Sequence, residues 1–150
     1  MESLNDRLLA RLKSIVPDLK GIEIPPRIFE EMEGEFIAWD EENDVLTARF
    51  PVQVRYQNPL GMMQGGMIVA AIDNVYGPLS YLVAPPSLTQ QLNTTYIQGV
   101  GPDDEYIDVT ARLEHKTRRF LYMSAAVTNP NGDLLAISQA SCLILRGPRR

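Results

Sequence analysis

The sequence predicts an α+β domain in which a long, curved antiparallel sheet covers one central helix. Three observations carry that expectation. The stretch Asn58–Val83 opens as a turn at Asn58-Pro59, passes through a glycine-bearing loop and continues as one long apolar segment. Within it Ile68, Ala71, Ile72, Val75, Leu79 and Leu82 recur at helical spacing. Four strand candidates follow, at 88–99, 105–116, 118–129 and 134–146. They run to about twice the usual five or six residues, which implies strong curvature. One face of such a sheet needs cover, and a single apolar helix can supply it.

The elements follow in order. Residues 3–16 read as an amphipathic helix with Ser3 as N-cap and Asp6 three positions on. Leu4, Leu8, Leu12 and Ile15 form its apolar stripe, and Pro17 stops it. The segment 17–34 is proline-rich and extended at Pro25-Pro26, with Ile28-Phe29 as its anchor on the core. A hairpin comes next, Glu35–Glu41 and Val45–Val52 about a polar turn, with Leu46, Ala48 and Phe50 on one face. Pro78 sits inside the central helix pattern and predicts a kink or a helix end, because it removes a donor and clashes with the Asn74 carbonyl. Ala84-Pro85-Pro86 makes a hard break. In 105–116, Ile107, Val109, Ala111 and Leu113 alternate with polar residues; Leu121, Met123, Ala125 and Val127 do the same in the next strand. Asn131-Gly132 suits a turn with positive φ. The basic tail 146–150 reads as a frayed end. The expected order is β-β-α-β-β-β-β in a single domain over 1–150, with 1–34 as an N-terminal extension and 35–146 as the core.

Composition narrows the function. A net charge of -5 argues against nucleic acid as the main partner, since a phosphate backbone wants a basic face. One cysteine, Cys142, allows no intrachain disulfide and fits a reducing compartment. The N-terminal residues lack the uninterrupted apolar run of a signal peptide, and Met67–Val83 is too short and polar for a good membrane span. The expectation is a cytoplasmic protein with no membrane partner. A single histidine, His115, without a nucleophile motif disfavours a serine or cysteine triad, and one histidine with one cysteine disfavours zinc. The acidic run Asp40–Asp44 lacks the glycine and distal glutamate of a calcium loop. Gly61–Gly66 has neither the lysine of a P-loop nor a dinucleotide fingerprint. No metal or cofactor is expected.

Chemistry concentrates in the central stretch. Gly65 and Gly66 stand where the helix begins, where unpaired N–H groups and the macrodipole suit an anion or a developing oxyanion. Two glycines also make a plain helix start. Asp73 lies seven residues after Gly66, inside the apolar helix, and is expected to be buried with it. A carboxylate there serves as general base or nucleophile, or else pairs with an arginine or backbone donors. Asn58 lies in the turn that feeds the loop, and its amide suits the orientation of a water or a carbonyl.

Together these residues resemble the active-site segment of the hotdog-fold acyl-CoA thioesterases, in particular their PaaI-like branch. The family pattern is N-x(5)-H-G-G-x(6–7)-D, and Asn58, Gln64-Gly65-Gly66 and Asp73 match its spacing. Downstream, Thr89–Tyr96, Leu113–Phe120 and the Asn131-Gly132-Asp133 turn also fit, so the resemblance covers roughly 35–146. It departs at Gln64, where the family has histidine; glutamine donates a hydrogen bond but cannot carry a proton to or from a reacting group. The resemblance implies a hotdog fold and hydrolysis of an acyl-CoA thioester. It implies that the Gly65 amide holds the thioester oxygen, that Asp73 from a partner chain activates water or attacks, and that Asn58 positions the carbonyl or the water. Gln64 would support the thioester end and Thr89 would assist the carboxylate. Gly66 and Met63 would border the substrate, with Met62, Met67 and Tyr81 as further lining candidates. Arg118 and Arg119 would reach CoA phosphates, or else form an ordinary charged hairpin end. It further implies a homodimer, possibly a dimer of dimers, with CoA entering only as part of the substrate. Two alternatives stand beside it: a non-catalytic acyl-CoA or fatty-acyl binding module, and a hotdog dehydratase or hydratase.

Overall fold

The alternating stretches become strands of one sheet in the computed structural model, which describes residues 1–15 and 21–145. β1 (Glu35–Asp40) and β2 (Val45–Pro51) form the first hairpin. β3 (Ser87–Tyr96), β4 (Tyr106–Lys116), β5 (Phe120–Thr128) and β6 (Leu134–Ile144) follow the central helix. The sheet order is β1-β2-β4-β5-β6-β3, antiparallel at every pairing. β1 and β3 are therefore its edges. Register stacks the apolar sets across the sheet: Ala48 opposes Val109, and Val109 opposes Val127. Leu46, Ala48, Phe50, Ile107, Val109, Ala111, Leu121 and Val127 are all fully buried on that face.

The central helix, α3, spans Gly65–Val83 and lies on this face. Ile68, Ala71, Ile72, Val75, Tyr76 and Leu79 are buried against the sheet. By length and apolarity α3 is a helix that could cross a membrane, but here its apolar side is the core of the domain. It does not end at Pro78, contrary to one of the two expectations for that residue, and continues for another turn to Val83. Packing outweighs the proline. A helix-interior proline costs about 3 kcal/mol, whereas burying Val75 and Leu79 on either side of it returns about 1.5–3 kcal/mol each. Tyr76, also fully buried, adds to the same balance. The break comes instead at Ala84, with extended backbone ahead of Pro85-Pro86.

α1 (Leu4–Ile15) packs on the β1 edge and on α3. Ser3 caps it: the Asp6 N–H donates to Ser3 Oγ at 3.1 Å, and that hydroxyl donates to Asp6 at 2.7 Å. Leu8 and Leu12 face the core. Asn5 Oδ1 accepts the Phe36 N–H at 3.0 Å, tying α1 to β1. The short α2 (Arg27–Glu31) inserts Phe29 against Phe36 and Phe50, with ring centroids 4.9 and 5.8 Å apart. Ile28 is exposed, because neighbouring residues on a helical turn point apart. Gly132 has the expected positive φ, +82°, in the β5–β6 turn. Asp40 accepts two hydrogen bonds from Asn43, and the side-chain one leads in holding its carboxyl below the usual aspartate value. The stop at Pro17 and the basic tail 146–150 lie outside the described residues.

Burial pushes the Tyr76 phenol up to about 12, from 10.0 for a free tyrosine. The folded chain therefore holds this proton more tightly than the unfolded one. The associated stability is complete below about pH 10 and declines as pH rises toward 12. Tyr76→Phe should remove that part of the alkaline loss, which urea denaturation of both proteins at about pH 8 and about pH 11 measures.

Candidate active site

The loop before α3 is built by Asn58. Its Oδ1 accepts the N–H groups of Leu60 at 2.9 Å and Met62 at 3.1 Å, and its carbonyl accepts that of Gly61 at 2.9 Å. This closes the turn that aims the chain into the helix. Asn58 thus organises the loop backbone with its carbonyl oxygens, and among the described residues its amide NH₂ has no acceptor. Gln64 is the N-cap residue, with extended ψ of 133° and no side-chain cap bond. Its own N–H is held by the Tyr56 carbonyl at 2.7 Å, and its carbonyl receives Met67 at 2.9 Å. Among the described residues, the N–H groups of Gly65 and Gly66 have no acceptor. They carry the positive end of α3. Gly66 is exposed, and a Cβ there would meet nothing within 4 Å. Gly65 is needed for a different reason: a Cβ would sit 3.0 Å from the Tyr96 ring. The Tyr96 hydroxyl donates to the Gly65 carbonyl at 2.9 Å.

Asp73 is not buried with the helix, a correction to the expectation from sequence; it is exposed. The core stripe passes through Ile72, Val75 and Tyr76, and Asp73 falls on the flank beside it. Its Oδ1 accepts the Thr89 hydroxyl at 2.9 Å, which fixes the carboxylate and leaves Oδ2 open. Thr89 stands opposite Cys142 in β6, next to a register shift between Thr89 and Gln91. The Cys142 sulfur lies 4.0 Å from the Thr89 oxygen, and burial pushes that thiol's pKa up. A protonated thiol behind Thr89 favours donation of the threonine proton toward Asp73. Such a bulge beside a polar cluster re-aims side chains.

β3 runs back along α3, so Thr89 meets Asp73 near the helix middle and Tyr96 meets Gly65 at its start. The structure thus gathers Asn58, Gln64, Gly65 and Gly66 at one place and Asp73 with Thr89 at another. Seven residues of helix separate Gly66 from Asp73, about 10 Å along the axis. That gap is too long for both to act on one carbonyl of one copy.

Three expected site residues fall elsewhere. Met63 is a core residue, only 4% exposed, with its N–H bonded to the Val100 carbonyl at 2.9 Å. A backbone bridge joins it to Gln57, and its side chain belongs to the buried core. Arg118 and Arg119 are exposed in the β4–β5 turn. The preceding Lys116 reaches the Val83 carbonyl at 2.9 Å, so this turn lies at the far end of α3 from Gly65. The helix between them is about 28 Å long. Cys142 went unnoticed as a supporting group; nothing in its sequence neighbourhood signals the pairing with Thr89, which arises only from strand register.

No family model and no curated protein matches this chain in sequence. Solved structures do match in shape. The PaaI protein of the E. coli phenylacetic acid degradation operon is 11% identical with a TM-score of 0.78, over 97% of this chain and 98% of that one. Thioesterase superfamily member 2 from Mus musculus is 19% identical with a TM-score of 0.74, over 97% of this chain and 100% of that one. A Streptococcus mutans protein bound to acetyl CoA is 17% identical with a TM-score of 0.72, over 88% of this chain and 99% of that one. With its six-stranded antiparallel sheet packed on one central helix, this chain has the hotdog fold seen in PaaI and in thioesterase-superfamily structures.

Proposed function

We propose that this protein hydrolyses an acyl-CoA thioester to the free acid and CoA, as a member of the PaaI-like branch. The observation that carries the reading is the exposed Asp73 carboxylate, held by Thr89, on a helix that starts with two unpaired glycine amides. The acetyl CoA bound to a neighbour of the same fold supports a CoA thioester as ligand. The Gly65 N–H, aided by the helix dipole, holds the thioester oxygen as negative charge develops on it. Asp73 takes a proton from water as that water attacks the carbonyl carbon, or attacks that carbon itself. In the first route the carbon–sulfur bond breaks, the proton taken by Asp73 passes to the departing CoA sulfur and the acid is released; in the second CoA leaves as the acyl-Asp73 anhydride forms, and water then cleaves that anhydride, freeing the acid and Asp73 and supplying the proton of the thiol. Asn58 holds the loop and offers its NH₂ to the carbonyl or the water. Gln64 donates to the thioester end without acting as an acid or base. Gly66 leaves room for the substrate, and Arg118 and Arg119 are available to CoA phosphates from a neighbouring copy. The reaction requires no metal and no separate cofactor.

The gap of about 10 Å between Gly66 and Asp73 is bridged by a second copy, whose α3 runs the opposite way. β3 is the strand suited to join the copies. It is an edge strand of ten residues, Ser87–Tyr96, without a charge or a proline, and nearly all of it is exposed. Edges of that length and polarity are normally blunted or paired. Pairing β3 with its copy makes the sheet continuous and brings each Asp73 toward the partner's helix start; a dimer of dimers extends the same assembly. Binding without turnover is the second reading, and Gln64 favours it because it removes the family's histidine. Release of free thiol from an acyl-CoA separates the two.

Asp73→Asn should lower kcat by about 10²–10⁴-fold with an unchanged melting temperature; full activity in this variant, assayed by thiol release, would sink the mechanism. Mass measurement at micromolar concentration should show at least twice the mass of one chain. A monomer that still hydrolyses thioesters would remove the shared site.

A further inference from the structure

Beside Asp73 the domain opens into a cavity of about 230 Å³. Gly77 and Tyr81 of α3 form one wall, Leu9 and Leu12 of α1 another, and Ile24 and Phe29 the third. The lining is mostly apolar. Its charged groups are Asp73, at the α3 side, and Glu23, which is already held by Arg27 at 2.9 Å. A cavity with one available carboxylate and otherwise apolar walls suits a ligand with a reactive polar end and an apolar body.

Gly77 gives the cavity its depth. It lies four residues after Asp73 in the interior of α3, where glycine weakens a helix. It has no positive φ, and a Cβ at this position would meet no atom within 4 Å. Neither backbone geometry nor close packing calls for glycine here. What its missing side chain provides is space in the cavity.

We infer that this cavity receives the acyl group of the thioester, and that Gly77 with the N-terminal helix sets the size of acyl group accepted. The inference rests on the proposed hydrolysis at Asp73, since that places the carbonyl at the polar end of the cavity. A cavity of about 150 Å³ lined by Leu, Ile and Phe holds benzene. The space here, about 230 Å³, takes one aryl ring with a short linker or a medium-length aliphatic chain. Two of its walls come from residues 1–34, so the segment outside the strand-and-helix core shares the size limit with Gly77.

The test compares Gly77→Leu with wild type on acetyl-, octanoyl- and benzoyl-CoA, followed by thiol release. The ratio of kcat/KM for octanoyl- or benzoyl-CoA over acetyl-CoA should fall by about tenfold or more, mainly through KM. Leu9→Ala, which widens the cavity, should shift the preferred chain length upward. Gly77→Ala should melt at the same or a higher temperature, which shows that the position tolerates a side chain. An equal loss on all three substrates, or an unchanged ratio, would overturn the inference. If wild type releases no thiol from any of them, the hydrolysis reading fails separately. Titration with non-hydrolysable thioether analogues then tests the cavity on its own: Gly77→Leu must weaken the octanoyl analogue more than the acetyl one, and equal weakening overturns it.

Discussion

The contact between the apolar side of α3 and the sheet is the constraint from which the other features follow. Ile72, Val75 and Leu79 are fully buried in it, and burial of this kind is worth about 1.5–3 kcal/mol per side chain. That is enough to carry the helix through Pro78. It also fixes how α3 is rotated. Once Ile68, Ile72, Val75 and Leu79 face the sheet, the stripe Gly66, Ala70, Asp73, Gly77 and Tyr81 lies away from it, exposed at Gly66 and Asp73 and half-buried at the other three. The glycine amides, the carboxylate and the open cavity wall lie along that one stripe. The placement of the candidate site is thus a consequence of core packing.

β3 holds this stripe in place from one side. Thr89 grips Asp73 and Tyr96 grips Gly65, so two hydrogen bonds from one strand pin α3 at its start and its middle. The same strand pairs with β6 along one edge and has its other edge open. The strand that positions the carboxylate is therefore also the one through which a second copy would be added in the proposed assembly. Position and assembly become coupled: a shift in β3 would move Thr89 and the interface together.

Much of the fold was legible because periodicity is a local property. The alternation in 45–52, 105–116 and 118–129 marked the buried faces of β2, β4 and β5, and Leu46, Ala48, Phe50, Ile107 and Val109 are all fully buried; Leu113 ends the pattern half-buried, beside a register shift. Ser3 was legible as a cap and Asn131-Gly132 as a turn for the same reason. Expectation and structure part where local and global preferences compete. Pro78 allowed a kink or a helix end, and the buried residues around it carry the helix past it. Met63 looked like a substrate neighbour by its place in the motif, but its side chain is buried in the core. Asp73 was expected to be buried because its neighbours are apolar; the buried side of α3 passes through Ile72, Val75 and Tyr76 and leaves it exposed.

Residue identity and spacing alone settled the order of the strands and the central helix (though not the short α2), the apolar stripe of the helix, and the company that Asn58, Gly65, Gly66 and Asp73 keep along the chain. Three-dimensional packing settled the rest: which side of α3 meets the sheet, that Thr89 and Tyr96 reach across to it, and that the N-terminal helix walls a cavity beside Asp73. The physical reason is the range of the forces involved. Spacing of 3.6 or 2 residues states which side chains share a face. Which face is buried, and which distant strand supplies its hydrogen-bond partners, depends on contacts between residues far apart in sequence. Asp73 and Thr89 stand 16 positions apart, and nothing local to either carries a trace of the 2.9 Å bond that joins them.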